Sequence, residues 1–367
     1  MLDKHQSSEP ASDAAPIEPS DRLRSRWWGA LGTFDARSKP RSGASSPRDA
    51  RRTPRKPFSE AIEAAAVWVR RQRDKRLQPA SEVVAGILDR LGPLPAPDAP
   101  RRVVVIVAHP DDEAIGAGAV LRGFPDVHVV HVTDGAPLDP GYAQSRGYES
   151  RDDYAQARRN EVVAALNVIG LPAERIRSLG IVDGEAAWHL VELCHKVADV
   201  FDELQPDVVL THPYEGGHSD HDSTAFAVHL AAGMLLRQGQ KAPVILELTS
   251  YHNYGGRRRF FSFLPFHTSR VRTVYLSPED RRVKREMFDQ FTSQLPVLDK
   301  FPLEVERFRQ APRYLFTVPP HEGELDYERL CRRITGAEWR AAAERALEEL
   351  RTRKQFRGSG SFQASEG

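Results

Sequence analysis

Apolar residues in this chain come in short unbroken runs, each followed by a polar turn and then a stretch with helical spacing. Val103–Val107 is one such run, Val127–Val132 another, and "PDVVLTHP" at 206–213 a third. A continuous apolar run is how a parallel strand covered on both faces reads. Shorter runs predict strands near 176–179, 243–249 and 271–276, and helical spacing predicts helices over 113–122, 151–169, 186–204, 222–237 and 278–291. Strand and helix therefore alternate. The expected fold is a doubly wound, Rossmann-like α/β sheet, mostly parallel, with helices on both faces and ligands beyond the carboxyl ends of its strands.

The alternation stops at both ends. Residues 1–57 are rich in Pro, Ser, Ala and Arg and predict a disordered tail, because so few large apolar side chains cannot offset the entropy of ordering. Trp27 and Trp28 stand beside Arg22, Arg24 and Arg26 and could hold an unknown partner or an anionic membrane, although an incidental patch is the simpler reading. Over 58–100, Ile62, Ala65, Ala66 and Val69 and then Val84, Ile87, Leu88 and Leu91 keep helical spacing, which predicts a helical appendage ending in a linker. The main domain is expected over 101–351, and the Gly/Ser-rich 352–367 as a second disordered tail.

Lys plus Arg is 52 against 51 for Asp plus Glu, so charge gives no ground for nucleic-acid binding, and "GGRRRFFSF" at 255–263 reads as a solvated loop. The two cysteines, Cys194 and Cys331, form neither a disulfide framework nor a zinc ribbon, as expected in a reducing compartment. No apolar run reaches the roughly 18 residues of a spanning helix, and the first residues show no signal-peptide core. A cytoplasmic protein without a transmembrane segment is expected.

Two strand ends carry unusual chemistry. The first is His109-Pro110-Asp111-Asp112-Glu113; the second, "THPYEGGHSDHD" at 211–222, supplies His212, His218, Asp220, His221 and Asp222. Clustered carboxylates beside apolar strands repel one another and need a compensating cation. Imidazole and carboxylate are the ligands zinc takes when no thiolate is offered. Plainer roles exist for single residues: Asp111 or Asp112 as a helix cap, Glu113 as the start of that helix, Arg158 paired with Glu161, Asp183 as a turn residue beside Gly184. His212 is left outside the ligand set. "ERFRQAPRY" at 306–314 could bring arginines to a pocket mouth.

Taken together, "AHPDDE" and "GGHSDHDSTA", with "VTDG", "ARRNEVVAALNVIG", "LGIVDG" and "PDVVLTH" between them, resemble the PIG-L/LmbE-like zinc-dependent deacetylases over about 102–230. The resemblance implies a metal-dependent amidohydrolase that removes an N-acyl group, above all N-acetyl, from an amino sugar or its conjugate. It implies one zinc held by His109, Asp112 and His221, with Asp111 as general base. His218 would stabilise the oxyanion and protonate the departing amine, Asp220 would orient and charge-stabilise His218, and Arg158 and Asp183 would contact the sugar. Ser219 departs from the proline usual at its position, which shapes the loop and is not a ligand. The rivals are a catalytically silent metal- or sugar-binding module and an amidase for a larger conjugate, whose specificity would lie in loops 134–157 and 250–270. Oligomeric state stays open.

Overall fold

In the computed structural model, residues 102–265, 270–330 and 333–358 are described. The expected tail at 1–57 with its tryptophan pair, the appendage at 58–100 and residues 359–367 lie outside them.

Strands β1 (Arg102–Val107), β2 (Asp126–Pro137), β3 (Ile176–Asp183), β4 (Val208–Thr211), β5 (Val244–Leu248), β8 (Arg272–Tyr275) and β9 (Val305–Gln310) form one sheet. Its order is β3-β2-β1-β4-β5-β9-β8. The first five strands run parallel. β9 pairs antiparallel with both β5 and β8. A separate hairpin joins β6 (Tyr251–Tyr254) to β7 (Arg257–Phe260). "GGRRRFFSF", expected as a loop, therefore contributes a strand.

β1 shows why the sheet is covered twice. Val103, Val105 and Val107 enter one apolar cluster with helices α1 (Asp112–Leu121), α3 (Arg151–Asn167) and α6 (Pro278–Gln290). Val104 and Ile106 point the other way, into a cluster with α4 (Leu190–Leu204), α5 (Ser219–Arg237) and α9 (Gly336–Gly358). Side chains alternate along a strand, so a run apolar at every position must be buried on both faces. Three short helices complete the described chain: α2 (Pro140–Ser145), α7 (Leu295–Leu298) and α8 (Asp326–Leu330). Capping boxes, Ser150 with Asp153 and Ser277 with Asp280, set the starts of α3 and α6. α9 continues past the expected tail boundary at Thr352, since no glycine interrupts it before Gly358.

The chain reverses its winding between β1 and β4, which are neighbours although far apart in sequence. Adjacent βα loops diverge there and open a crevice at the carboxyl edge. The loops after β1 and β4 are the two quoted above for their histidines and carboxylates. Among the described residues no helix is long and apolar enough to cross a membrane.

Candidate metal centre and active site

The turn after β1 separates two adjacent aspartates. Asp111 stands at the start of α1 in an unusual conformation (φ 155°, ψ −23°), and its side chain caps nothing. Its amide and that of Asp112 both donate to the His109 carbonyl, at 3.0 and 3.2 Å. The two carboxylates then part. Asp112 Oδ2 accepts the His109 backbone N–H at 2.8 Å and lies 3.2 Å from His109 Nδ1. Its Oδ1 lies 3.3 Å from His221 Nε2. Asp111 instead accepts from Nη2 of the buried Arg158 on α3, at 3.2 Å.

His109, Asp112 and His221 each offer a ligand atom, and these atoms all lie within 4.8 Å of one another. His221 Nε2 is buried and makes no hydrogen bond. An orphaned buried imidazole nitrogen beside a carboxylate and a second imidazole is the donor set of a zinc-class cation, so these residues fit one. His212 stays out of the set. Its Nε2 already accepts the Ala108 N–H at 3.0 Å. Its ring stacks on His221 at 3.8 Å and 5°, which fixes the face His221 presents.

The loop after β4 brings the rest. His218 caps α5, its Nδ1 accepting the Asp220 N–H at 3.2 Å. That leaves the ring proton on Nε2. Burial, with His109 nearby, pushes His218 down to about 4, so it is neutral at neutral pH. The Asp220 carboxylate is 3.9 Å from His218 Nδ1, beyond hydrogen bonding but near enough for its charge to act on the ring. It accepts the Gly184 N–H at 2.7 Å and the Ala186 N–H at 3.2 Å, and faces His109 Nε2 at 3.3 Å. Asp220 ties the loop after β3 to His109 more directly than it orients His218. Asp183 also reaches His109 Nε2, at 3.3 Å. Asp222 holds the loop before His218, accepting Glu215 and Gly216 amides at 3.2 and 3.0 Å.

All eight expected site residues therefore meet at one crevice. Arg158 adds a detail: it is 4.0 Å from Glu161 but 3.2 Å from Asp111, and its buried Nε and Nη1 have no hydrogen-bond partner. Glu161 is engaged elsewhere, accepting from Thr292 and Ser293. Burial raises Asp111 to about 7 even though Arg158 pulls it down.

Sequence reasoning missed His131. It lies in the buried middle of β2 and meets Glu113 Oε2 at 2.9 Å, while the same oxygen accepts the Asp111 N–H at 3.2 Å. A histidine inside an otherwise apolar strand was the available signal. Glu113 thus buttresses the Asp111 turn as well as starting α1. The arginines of "ERFRQAPRY" do not line the mouth as a set: Arg309 is buried, donating to Glu247 at 2.6 Å and to Glu215 at 3.1 Å.

Residues 104–232 match the PIG-L family, described as GlcNAc-PI de-N-acetylase. A 1D-myo-inositol 2-acetamido-2-deoxy-alpha-D-glucopyranoside deacetylase of Kineococcus radiotolerans is 29% identical over 213 residues, 47% of this chain and 58% of that protein. A probable N-acetyl-alpha-D-glucosaminyl L-malate deacetylase 2 of Bacillus cereus is 28% identical over 149 residues, 40% of this chain and 66% of that protein. The chain spans 48% to 66% of the length of these and similar curated relatives. Among solved structures, the zinc-inhibited form of a teicoplanin deacetylase is 19% identical, covering 57% of this chain and 97% of that one, with a TM-score of 0.45.

Proposed function

We propose that this chain, through its PIG-L domain, is a metal-dependent amidohydrolase that removes an acetyl group from the nitrogen of an amino sugar or its conjugate. The observation that carries this reading is the divergence of the adjacent aspartates, one toward two imidazoles and the other toward a buried arginine. A module that only bound metal or sugar would need the first and not the second. The curated relatives, deacetylases of N-acetylglucosamine conjugates by name, support the substrate class.

His109, Asp112 and His221 would hold the metal, for which we propose zinc on the strength of the donor set. When bound, such a cation supplies Lewis acidity to water and to the amide carbonyl. Asp111 accepts a proton from the attacking water and, with a pKa near neutrality, can return it to the departing amine. Arg158 holds Asp111 in place and directs its remaining N–H groups toward the substrate. His218, neutral, donates from Nε2 to the oxygen that gains charge. Asp183, beside His109, is proposed as a sugar contact. Cytoplasmic placement is proposed on cysteine content alone; Cys194 is a buried free thiol.

Acetate release over a panel of N-acetyl amino sugars and their conjugates tests the reading. Chelator-treated protein should release none, and added zinc or a related divalent ion should restore release. Full turnover by protein shown metal-free by elemental analysis would exclude this mechanism. Metal binding without acetate release from any member would favour the binding module.

A further inference from the structure

We propose that Tyr251 is a further catalytic residue, its hydroxyl donating a hydrogen bond to the amide carbonyl oxygen as that oxygen gains negative charge; the proposal rests on the deacetylase reading above. Tyr251 opens β6, outside both motifs. Its ring lies 5.5 Å from that of His221, at 60°.

The loop before His218 explains how β6 comes so close. A Cβ on Gly217 would overlap the Tyr251 carbonyl oxygen, and one on Gly216, at φ 70°, would strike Leu325. Glycine at 217 lets the backbone of β6 lie directly against the loop, and glycine at 216 makes room for Leu325. It also means that the loop offers the crevice no side chain at 216 or 217. Glu215 is engaged elsewhere, accepting from the Leu264 amide at 2.7 Å and from Arg309 at 3.1 Å. Besides His218, a side-chain donor here has to come from a neighbouring element, and Tyr251 on β6 is placed to supply one.

The ring is held from behind. Phe301 and Phe260 pack on it at 6.1 and 6.4 Å, and the Arg258 guanidinium sits 5.3 Å over it. Arg258 is itself fixed by Asp326, at 2.9 Å from Nε and 2.7 Å from Nη2. The hydroxyl, by contrast, makes no hydrogen bond among the described residues, and the charges that bear on it include His109 and Asp112. A phenol whose ring is anchored beside the proposed ligand His221, with its O–H unsatisfied, is a preorganised donor. At neutral pH a phenol carries its proton.

Tyr251→Phe removes one oxygen and keeps the packing. In zinc-loaded protein, kcat should fall by about 10²-fold, the usual effect of deleting one oxyanion donor. KM should change by less than about twofold, since an interaction made only in the transition state leaves ground-state binding alone. Acetate, whose carboxylate presents charged oxygen to the same donors, should bind about tenfold more weakly by calorimetry. Zinc stoichiometry and Tm should match the wild type. Unchanged kcat and acetate affinity would overturn the proposal, as would losses that merely track lost zinc or a lowered Tm. If the wild type releases no acetate from any substrate yet Tyr251→Phe still weakens acetate binding, the deacetylase reading fails and the hydroxyl contact stands.

Discussion

Asp111→Asn should keep its metal and lose about 10²–10⁴ in kcat, the usual worth of a positioned base. Asparagine preserves size and can still accept from Arg158, which now meets the Asp111 carboxylate at 3.2 Å. It cannot take a proton. The side-chain hydrogen bond of Asp111 runs to Arg158 and not to a proposed ligand, so the ligand cluster should keep its arrangement. Asp112→Ala should behave oppositely, since Asp112 approaches both His109, at 3.2 Å, and His221, at 3.3 Å. It should first weaken metal binding, with activity partly recovered by excess metal. Zinc stoichiometry and turnover, measured on both variants after identical purification, decide the matter. Loss of zinc in Asp111→Asn with retention in Asp112→Ala would exchange the two roles.

The same residue sets an expected acid limb. Burial raises Asp111 to about 7, and Arg158 pulls against that rise. A bound cation nearby pulls further in the same direction. Only the carboxylate accepts a proton, so kcat should rise with pH through a value at or below about 7. The residual activity of Asp111→Asn should lack that limb. An acid limb that persists unchanged in the variant would assign it to another group.

The candidate ligand cluster was legible in the sequence because two short segments carry it whole, each at the end of an apolar run. β1 and β4 were legible for a related reason: burial on both faces leaves an uninterrupted apolar signature, which β2 and β5 keep in part around His128, His131 and Glu247. β9 left no such trace. Glu306 and Arg309 lie buried in it, compensated by Lys284 on α6 and by Glu247 on β5, partners that no local pattern reveals. Tyr251 was hidden likewise, since its place beside His221 depends on Gly217, more than thirty residues earlier. Asp220 was found but its partners were not, because the amides of Gly184 and Ala186 reach it only through the packing of the loop after β3 on α5.

Lys284→Ala should cost about 3–5 kcal/mol of unfolding free energy at neutral pH, the usual penalty for leaving one member of a buried ion pair alone. Lys284 and Glu306 are fully buried and 2.8 Å apart. Together they grip α1. Lys284 Nζ donates to the Ile115 carbonyl at 2.7 Å, and Glu306 accepts the Ala119 and Val120 amides at 2.9 and 3.1 Å. Ile115 C=O and Ala119 N–H are the two groups that an ordinary helical turn would join to each other. α1 begins with Asp112 and Glu113, so the pair anchors the same helix that delivers a proposed ligand and the buttress of the proposed base. Without Lys284 the Glu306 carboxylate is left in an apolar interior, and its pKa must rise above the unfolded value of about 4.3. A raised carboxyl pKa favours folding below the unfolded value and loses that advantage as pH rises through the folded one. The deficit of the variant should therefore shrink as pH falls toward about 4 and be largest near neutrality. Adding Glu306→Leu should recover part of the loss, because no charge then remains buried. Urea unfolding of the three proteins across this pH range measures it. A deficit below about 1 kcal/mol, or one that does not vary with pH, would show that α1 does not depend on the pair.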